Sequence, residues 1–293
     1  MVLLVVMILS VPAGLAGFLA VRRWPKADPA RSASEAVGSK IRGHPGPRSF
    51  LRSRLDPATA TGLVLTLALT LMVVTGVVVG LLAWMIRQDR GVVTVDLPVE
   101  RWADGHANTF TDAVLGALTH LGDTVTIVVV AIAVGVYGLW RWRRAAVPLF
   151  VLSVVLGQMV ITNAIKVGID RARPALRPRA AFTGTSFPSG HTTAATATYL
   201  AVAFVLAIGS SPRARAVLAG TGLAIGVAVG CTRVLLGVHF FSDALAGLAI
   251  GLSWFGVCAV AFGGRLMSFG APARAATEPT VRPPPIGARA PAG

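Results

Sequence analysis

Long runs of apolar residues alternate with polar segments along most of the chain. Seven of these runs are long enough, at about 20 residues, to cross the hydrocarbon core of a bilayer as α-helices. They cover residues 1–21, 62–86, 124–140, 145–165, 191–210, 214–231 and 240–262. Short connections separate several of them, so neighbouring helices are expected to run antiparallel. The pattern predicts an all-α, polytopic membrane helix bundle.

The polar segments between these runs differ in character. Residues 22–61 hold nine Lys or Arg and three acids among many Pro, Ser and Gly, which is typical of a flexible, solvated linker. Within residues 87–121, mostly apolar positions recur at helical spacing, which predicts one amphipathic helix at the membrane interface. These positions are Trp102, His106, Phe110, Val114, Ala117 and Leu121. Residues 263–293 are rich in Pro, Ala and Arg and are predicted to be disordered.

The composition supports a membrane protein over a soluble one. Hydrophobic residues make up 54% of the chain, the mean hydropathy is +0.72 and only 13% of residues are charged, against about 25% in soluble domains. A net charge of +15 is often a sign of nucleic-acid binding. Here the basic residues lie in loops between apolar runs, so membrane topology explains them better and no nucleic-acid partner is predicted. Arg outnumbers Lys by 24 to 3, which suggests GC-rich coding and a bacterial source.

The charges also predict the sidedness of the bundle. If the basic segment 22–61 lies in the cytoplasm, residues 87–121 and the N-terminus lie outside. The same alternation places these basic groups inside: Arg141, Arg143 and Arg144, Arg213 and Arg215, and the C-terminal tail. Residues 166–190 fall outside, although they contain five basic residues and a single acid, Asp170. Binding of an anionic head group would explain this basic excess.

Three short clusters in the second half of the chain carry the residues needed for phosphate chemistry. They are Lys166-x6-Arg173-Pro174, Pro188-Ser189-Gly190-His191 and Arg233-x5-His239-x3-Asp243. Together they supply three cations, two imidazoles and one carboxylate. Because the predicted topology places all three at the same outer face, we expect them to form one site.

The first residues of these clusters are suited to holding a phosphate. Arg173 and Arg233 can each bind two phosphate oxygens, and Lys166 adds a point charge. Ser189 and Gly190 are expected at a helix N-terminus, where free N–H groups attract anions. There the serine can cap the helix and the glycine lets a ligand approach the backbone.

The histidines are suited to the reaction itself. His239 and Asp243 are predicted to share one face of a helix, so that the carboxylate orients the imidazole for attack on phosphorus. His191 is placed to protonate the leaving alkoxide. His106 and His120 are interpreted as surface or packing residues.

No metal or cofactor is predicted. Cys231 and Cys258 both lie in apolar runs and are interpreted as buried core residues. The carboxylates form no cluster in the sequence that suggests a metal site.

Taken together, the three clusters resemble the motifs K-x6-R-P, P-S-G-H and S-R-x5-H-x3-D of the type 2 phosphatidic acid phosphatase superfamily. The resemblance covers residues 62–262 and departs from the third motif at Thr232, which replaces a serine. It implies a six-helix core, an active site on the extracytoplasmic side and a metal-independent reaction. It further implies a phosphohistidine on His239, with His191 as general acid and Asp243 as support for His239. The residues implied to hold the phosphate are Lys166, Arg173, Ser189, Gly190 and Arg233.

Four parts of the chain follow from the apolar pattern and the resemblance. They are an N-terminal transmembrane anchor (1–21), a flexible basic cytoplasmic linker (22–61), a six-helix lipid phosphatase domain (62–262) and a disordered cytoplasmic tail (263–293). The expected function is hydrolysis of a phosphomonoester or diphosphate head group on a lipid in a bacterial plasma membrane. Phosphatidic acid and undecaprenyl diphosphate are the favoured substrates, followed by phosphatidylglycerol phosphate.

Other functions stay open at this stage. A phosphotransferase would pass the phosphoryl group to another acceptor, such as a hydroxyl of lipid A or of an inositol lipid. A transporter or other non-catalytic lipid-binding protein would keep the anion site, but the presence of nucleophile, acid and orienting carboxylate disfavours it. A soluble vanadate-binding haloperoxidase, which belongs to the same superfamily, is disfavoured by the apolar runs. The oligomeric state does not follow from the sequence.

Overall fold

The computed structural model of the protein describes residues 1–23 and 60–267, apart from residues 144, 177 and 183. In this part of the chain the regular structure is helical, and no strand is formed. The helices are α1 (Val2–Arg23), α2 (Ala60–Gln88), α3 (Asp96–Gly105), α4 (Thr109–Thr119), α5 (Thr124–Trp142), α6 (Ala146–Ile169), α7 (Gly190–Leu206), α8 (Pro212–Leu235) and α9 (Phe241–Met267). The all-α prediction is confirmed. Most of the predicted linker 22–61 and tail 263–293, and also Arg144 and Arg177, lie outside the described residues.

Six of the described helices are long and apolar enough to cross a membrane. They are α1, α2, α5, α6, α8 and α9. The remaining predicted span, residues 191–210, corresponds to α7, which has only 17 residues and ends at Leu206. A helix enclosed by other helices is not required to match the thickness of the bilayer on its own.

α7 lies at the centre of the bundle because small residues let its neighbours approach closely. A Cβ atom on Gly226 of α8 would come within 2.5 Å of Oγ1 of Thr196 on α7. On the α9 side, a Cβ atom on Gly251 would come within 2.7 Å of Cβ of the same threonine. Small residues at such contacts bring membrane helices close together. The packing therefore fixes the N-terminal end of α7 against both α8 and α9.

An apolar core fills the bundle on the α6 side of α7. Phe150 and Val154 of α6 are fully buried and pack with Val205 of α7 and Cys258 of α9. Cys258 is thus a core residue, as predicted, whereas Cys231 is only half-buried. Both thiols are free.

The N-terminal helix α1 packs along α8 and is an integral part of the bundle. A Cβ atom on Gly14 would come within 3.0 Å of the carbonyl oxygen of Gly220. At the other end of this contact, Val2 and Val6 join an apolar cluster with Leu235. The two helices therefore run antiparallel, and the chain's N-terminus lies at the same end of the bundle as the C-terminus of α8.

Residues 87–121 contain two helices, so the prediction of a single amphipathic helix is wrong. α3 ends at Gly105, and the backbone is extended at Asn108, whose φ is −151°. Asn108 then caps α4, since its side chain accepts a hydrogen bond from the Thr111 N–H and the Thr111 side chain accepts one in return. His106 stacks on Trp102 with ring centroids 4.6 Å apart, which agrees with its interpretation as a packing residue.

Candidate active site

Two connections, α6–α7 and α8–α9, meet at one end of the bundle. Backbone hydrogen bonds tie them together: Ser189 N–H donates to the Asp243 carbonyl oxygen (3.1 Å), and His239 N–H donates to that of Arg233 (3.2 Å). The first bond joins the second cluster to the third, and the second bond connects two residues of the third cluster. The convergence expected from the sequence is present.

A cavity of about 300 Å³ lies at this junction. Its lining residues are Lys166, Arg173, Ala181, Phe182, Gly190, His191, Arg233 and His239. Three of them are cations and two are imidazoles, and none of the described lining residues is a carboxylate. The cavity thus contains all the sequence-predicted site residues except Ser189 and Asp243, which are fully buried behind it.

Backbone oxygens position two of the cations. Lys166 Nζ donates to the carbonyl oxygen of Thr185 (2.6 Å). Arg173 donates through Nη1 to the carbonyl oxygen of Val238 (2.7 Å), and the same nitrogen lies 3.1 Å from Nε2 of His239. These backbone oxygens fix the direction in which both side chains point.

Arg233 is the most deeply buried of the three cations, with only 2% of its surface exposed. Its Nη1 donates to Oγ1 of Thr119 (3.1 Å). Its Nε has no hydrogen-bond partner, and no carboxylate pairs with it directly, within the described residues. Burying a charge without a partner is costly, so such a guanidinium is suited to an anionic ligand that enters the cavity.

His239 lies in the turn between α8 and α9, so the prediction that it shares a helix face with Asp243 is wrong. Gly237 ends α8 with a φ of +66°, a conformation that glycine adopts without strain. α9 begins only at Phe241, and Asp243 is in its first turn. Nδ1 of His239 nevertheless lies 3.4 Å from Oδ2 of Asp243, which is within ion-pair distance although not in hydrogen-bonding geometry.

Burial controls the protonation of His239. It lowers the pKa of the ring to about 4, and the charges of Arg173 and Arg233 act in the same direction while Asp243 opposes them. The imidazole is therefore neutral at neutral pH. Since Arg173 donates toward Nε2, the lone pair of that nitrogen is directed to the cationic side of the ring.

A buried network holds the Asp243 carboxylate in place. Arg171 donates to Oδ1 of Asp243 (2.7 Å) and to Oδ2 of Asp96 (2.8 Å). The Ser186 hydroxyl donates to the other oxygen of Asp243. Asp96, which is 2% exposed, also accepts from the Ser242 N–H (2.9 Å). Arg171 therefore supports the carboxylate and does not line the cavity.

A second arginine of the same connection, Arg179, is also engaged within the protein. It forms ion pairs with Asp104 (3.1 Å) and Asp112 (3.3 Å), and it donates to the Leu235 carbonyl oxygen. Acids of α3 and α4 thus pair with two of the arginines in residues 166–190. The basic excess of that segment is only partly available to a ligand.

The second cluster begins α7, as predicted, but Ser189 does not cap the helix through its side chain. Its Oγ instead accepts a hydrogen bond from Thr192 Oγ1 (2.8 Å). Gly190 lines the cavity, and a Cβ atom there would meet only Thr162, at 3.8 Å. Packing within the protein therefore does not require glycine at this position.

The departure from the third motif lies outside the cavity. Oγ1 of Thr232 donates to the carbonyl oxygen of Val229 (2.7 Å), and the residue is fully buried. A serine could make the same bond within α8. The replacement therefore leaves the cavity lining unchanged.

A carboxylate that the sequence did not single out contacts His191. Oδ1 of Asp123 lies 2.7 Å from Nε2 of His191, and its Oδ2 lies 2.5 Å from Nδ1 of His120. Partial burial acts to raise the pKa of Asp123, but the hydrogen bonds with the two histidines outweigh it and the pKa lies below its ordinary value. His120 is on the surface, as interpreted, with 72% of its side chain exposed.

Comparisons with known proteins agree with this geometry. Residues 146–266 match the family model of the PAP2 superfamily. Phosphatidylglycerophosphatase B of Bacillus subtilis is 31% identical over 147 residues, which are 48% of this chain and 70% of that protein. A lipid A 1-phosphatase of Rhizobium johnstonii is 37% identical over 106 residues, 33% of this chain and 39% of that protein.

A solved structure shares the fold. The crystal structure of a transmembrane PAP2 type phosphatidylglycerolphosphate phosphatase from Bacillus subtilis aligns with a TM-score of 0.58 and 24% identity. The alignment covers 68% of this chain and 96% of that one. The segment that matches the family, residues 146–266, contains all three clusters and every residue that they contribute to the cavity. The chain therefore belongs to the PAP2 superfamily.

Proposed function

We propose that this protein is a membrane lipid phosphatase, which releases phosphate from a phosphomonoester or diphosphate head group. The observation that carries the proposal is the cavity itself, which is lined by three cations and two imidazoles at one end of a membrane bundle. A site of this charge attracts an anion, and the neutral imidazole of His239 supplies a nucleophile beside it. Membership of the PAP2 superfamily and the lipid phosphatases among its relatives support the same reaction class.

In the first step of the proposed reaction, Nε2 of His239 attacks phosphorus and forms a P–N bond. The P–O bond to the lipid breaks, and His191 gives a proton to the departing oxygen. Lys166, Arg173 and Arg233 stabilise the negative charge on the non-bridging oxygens in the transition state. The products are a phosphohistidine and a free lipid alcohol, or a lipid monophosphate when the head group is a diphosphate.

In the second step, water attacks the phosphohistidine and the P–N bond breaks. His191, now neutral, takes a proton from the attacking water and so returns to its starting state. Asp243 stabilises the charge that His239 carries while it is phosphorylated, because its carboxylate lies beside Nδ1. The cycle needs no metal ion, since side chains supply all the positive charge around the phosphate.

Entry of the lipid from the membrane is supported by an apolar groove between α2, α6 and α9. The groove has a volume of about 540 Å³ and is lined almost entirely by apolar residues. Among them are Ile165 and Ile169 of α6, which flank the cavity residue Lys166 in sequence. We propose that an acyl or prenyl chain lies in this groove while its head group occupies the cavity.

We propose a lipid phosphomonoester as the preferred substrate. Phosphatidylglycerophosphatase B, by its name, acts on phosphatidylglycerol phosphate, and it is the relative matched over the larger share of its length. The lipid A 1-phosphatase also acts on a phosphate carried by a lipid. Phosphatidic acid presents the same phosphomonoester head group to the cavity, whereas undecaprenyl diphosphate presents the terminal phosphoryl group of a diphosphate.

We propose that the site lies on the extracytoplasmic side of a bacterial plasma membrane. Arg22 at the end of α1 and Arg213 at the start of α8 line a common surface depression, at the end of the bundle away from the cavity. Basic residues favour the cytoplasmic side of membrane proteins. The cavity would then face outward, in agreement with the sidedness expected from the sequence.

The proposed function is tested by phosphate release from purified protein in detergent with a chelator present. Phosphatidylglycerol phosphate, phosphatidic acid and undecaprenyl diphosphate are supplied in parallel. We expect release from at least one of them, and loss of that release in His239→Ala. His106→Gln, which changes a histidine outside the cavity, serves as the matched control and should keep its activity. No release from any of the three by the unmodified protein would refute the proposal.

A further inference from the structure

Both oxygens of the Asp123 carboxylate form hydrogen bonds with histidines. One lies 2.7 Å from Nε2 of the cavity residue His191, and the other lies 2.5 Å from Nδ1 of the exposed His120. Asp123 occupies the N-cap position of α5, where aspartate usually accepts a hydrogen bond from the first turn of its own helix. Its side chain makes no such bond. The carboxylate therefore contacts the two histidines and does not cap α5.

Burial and the cations of the cavity oppose the protonation of His191. Lys166 of α6, Arg173 of the α6–α7 connection and Arg233 of α8 line the same cavity, together with the neutral His239. A general acid must carry its proton before the reaction begins. Asp123 is the carboxylate that contacts the ring, so it is the group placed to offset these cations.

We propose that Asp123 is a positioning residue for the general acid, which holds His191 in a fixed orientation and stabilises its protonated form. The inference rests on the proposed phosphatase function and deepens it. It assigns a role to a residue that lies outside the three motifs and outside the matched segment 146–266. His120 acts on the outer side of Asp123, where its ring hydrogen-bonds the second oxygen and limits rotation of the carboxylate.

Asp123 stays negatively charged in both steps of the proposed reaction. In the first step the N–H bond of His191 breaks, at the Nδ1 nitrogen that Asp123 does not hold, and the proton goes to the lipid oxygen as its bond to phosphorus breaks. In the second step the same nitrogen takes one proton from water. Asp123 neither gains nor loses a proton, as expected for a carboxylate whose role is to orient and stabilise an imidazolium.

This role predicts a dependence on the leaving group that a purely structural role would not produce. A lipid alkoxide is a poor leaving group and needs a proton, whereas nitrophenolate leaves without one. In Asp123→Asn, kcat for the lipid substrate should fall about 10- to 100-fold. With p-nitrophenyl phosphate, kcat should change less than about threefold, and KM for both substrates should stay within the same limit.

Two control variants separate this effect from a loss of folding. Asp112→Asn removes another carboxylate from the same face of the protein without touching His191, because Asp112 pairs with Arg179. Any change in kcat that Asp112→Asn causes should be the same for the lipid substrate and for p-nitrophenyl phosphate. Asp123→Glu restores the charge and should recover part of the lipid activity lost in Asp123→Asn. Thermal unfolding of each variant reports whether the bundle is intact.

The outcomes distinguish this inference from the proposed function. Selective loss on the lipid substrate in Asp123→Asn supports the role of Asp123. Equal loss on both substrates, or no loss on either, overturns it while the phosphatase function of the unmodified protein stands. If the unmodified protein hydrolyses neither substrate, the proposed function fails and the role of Asp123 fails with it.

Discussion

At the residue scale, His239 combines a buried position with a neutral ring. Because burial lowers its pKa to about 4 from an ordinary value of 6.5, the ring takes up a proton only as the pH falls through about 4. In the unfolded chain the same ring would be protonated below about 6.5. Acidification between these two values therefore destabilises the fold, since only the unfolded state gains the proton.

The lowered pKa of His239 can be measured by NMR titration. In the ligand-free protein, the NMR signals of the His239 ring should titrate with a midpoint near 4. Comparison with His239→Gln assigns the signal. A midpoint at 6.5 or above would contradict the description of His239 as a buried, neutral nucleophile.

Gly190 supports a second prediction at this scale. In Gly190→Ala the added methyl group meets only Thr162, at ordinary van der Waals distance, so the protein should fold with unchanged thermal stability. The methyl group would occupy the space where a phosphate approaches the helix N-terminus. We expect kcat/KM for the lipid substrate to fall at least about tenfold.

The control for Gly190→Ala is the same substitution at Gly116 on α4, where a Cβ atom would meet nothing within 4 Å. Gly116→Ala should keep full activity. Full activity in Gly190→Ala would show that this glycine does not bound the phosphate site.

At the element scale, the short connections and the helix ends explain why the site forms at this place. α7 is held between α8 and α9 by glycine contacts, and its first residue lines the cavity. The turn after α8 carries His239, and Gly237 gives it the required backbone conformation. α3 begins with Asp96, which accepts a hydrogen bond from Arg171. The site is therefore assembled from the ends of packed helices.

The groove between α2, α6 and α9 gives a prediction for the lipid chain. A Cβ atom on Gly80 of α2 would meet nothing within 4 Å, so a larger side chain can fill the groove without disturbing the core. In Gly80→Phe, KM should rise several-fold for a long-chain lipid phosphate and stay unchanged for a short-chain analogue.

Val136→Phe provides the comparison for this substitution, because Val136 is an exposed apolar residue on α5, away from the groove. It adds similar bulk to the lipid-facing surface and should leave both substrates unaffected. An equal effect of Gly80→Phe on the short-chain and long-chain substrates would argue against the groove as the site of the chain.

At the scale of the whole molecule, motif spacing predicted the site better than it predicted the local structure. The clusters around Lys166, His191 and Arg233 could be recognised because their residues are close in sequence and chemically distinctive. The helical pairing of His239 with Asp243 failed because periodicity does not reveal where a helix ends. A glycine with a positive φ ended α8 before that pair.

Residues that depend on tertiary contacts could not be identified from one sequence. Asp123 meets His191 across 68 positions of the chain, and Asp96 meets Arg171 across 75. Neither acid belongs to a motif, and each looks like an ordinary polar loop residue. The ion pairs of Arg179 with Asp104 and Asp112 could not be predicted for the same reason. The basic excess of residues 166–190 is therefore attributed to a ligand when the sequence alone is considered.

The bundle also brings the N-terminal helix to the site end of the molecule. Val2 and Val6 pack beside Leu235, at the end of α8, and Val238, in the turn that carries His239. α1 lies outside the matched segment 146–266, yet it covers one side of α8 along its length. α1 therefore packs against the helix and the turn that carry the third cluster.

The central claim is that His239 receives the phosphoryl group inside a cavity built from the three clusters. Its most direct test is to mix the purified protein with a lipid phosphate labelled with ³²P in the head group and to quench within milliseconds in alkaline denaturant. Peptide mapping should then locate the label on His239, and His239→Ala should carry none. Rapid release of labelled phosphate with no label on the protein, or a label that persists in His239→Ala, would contradict it.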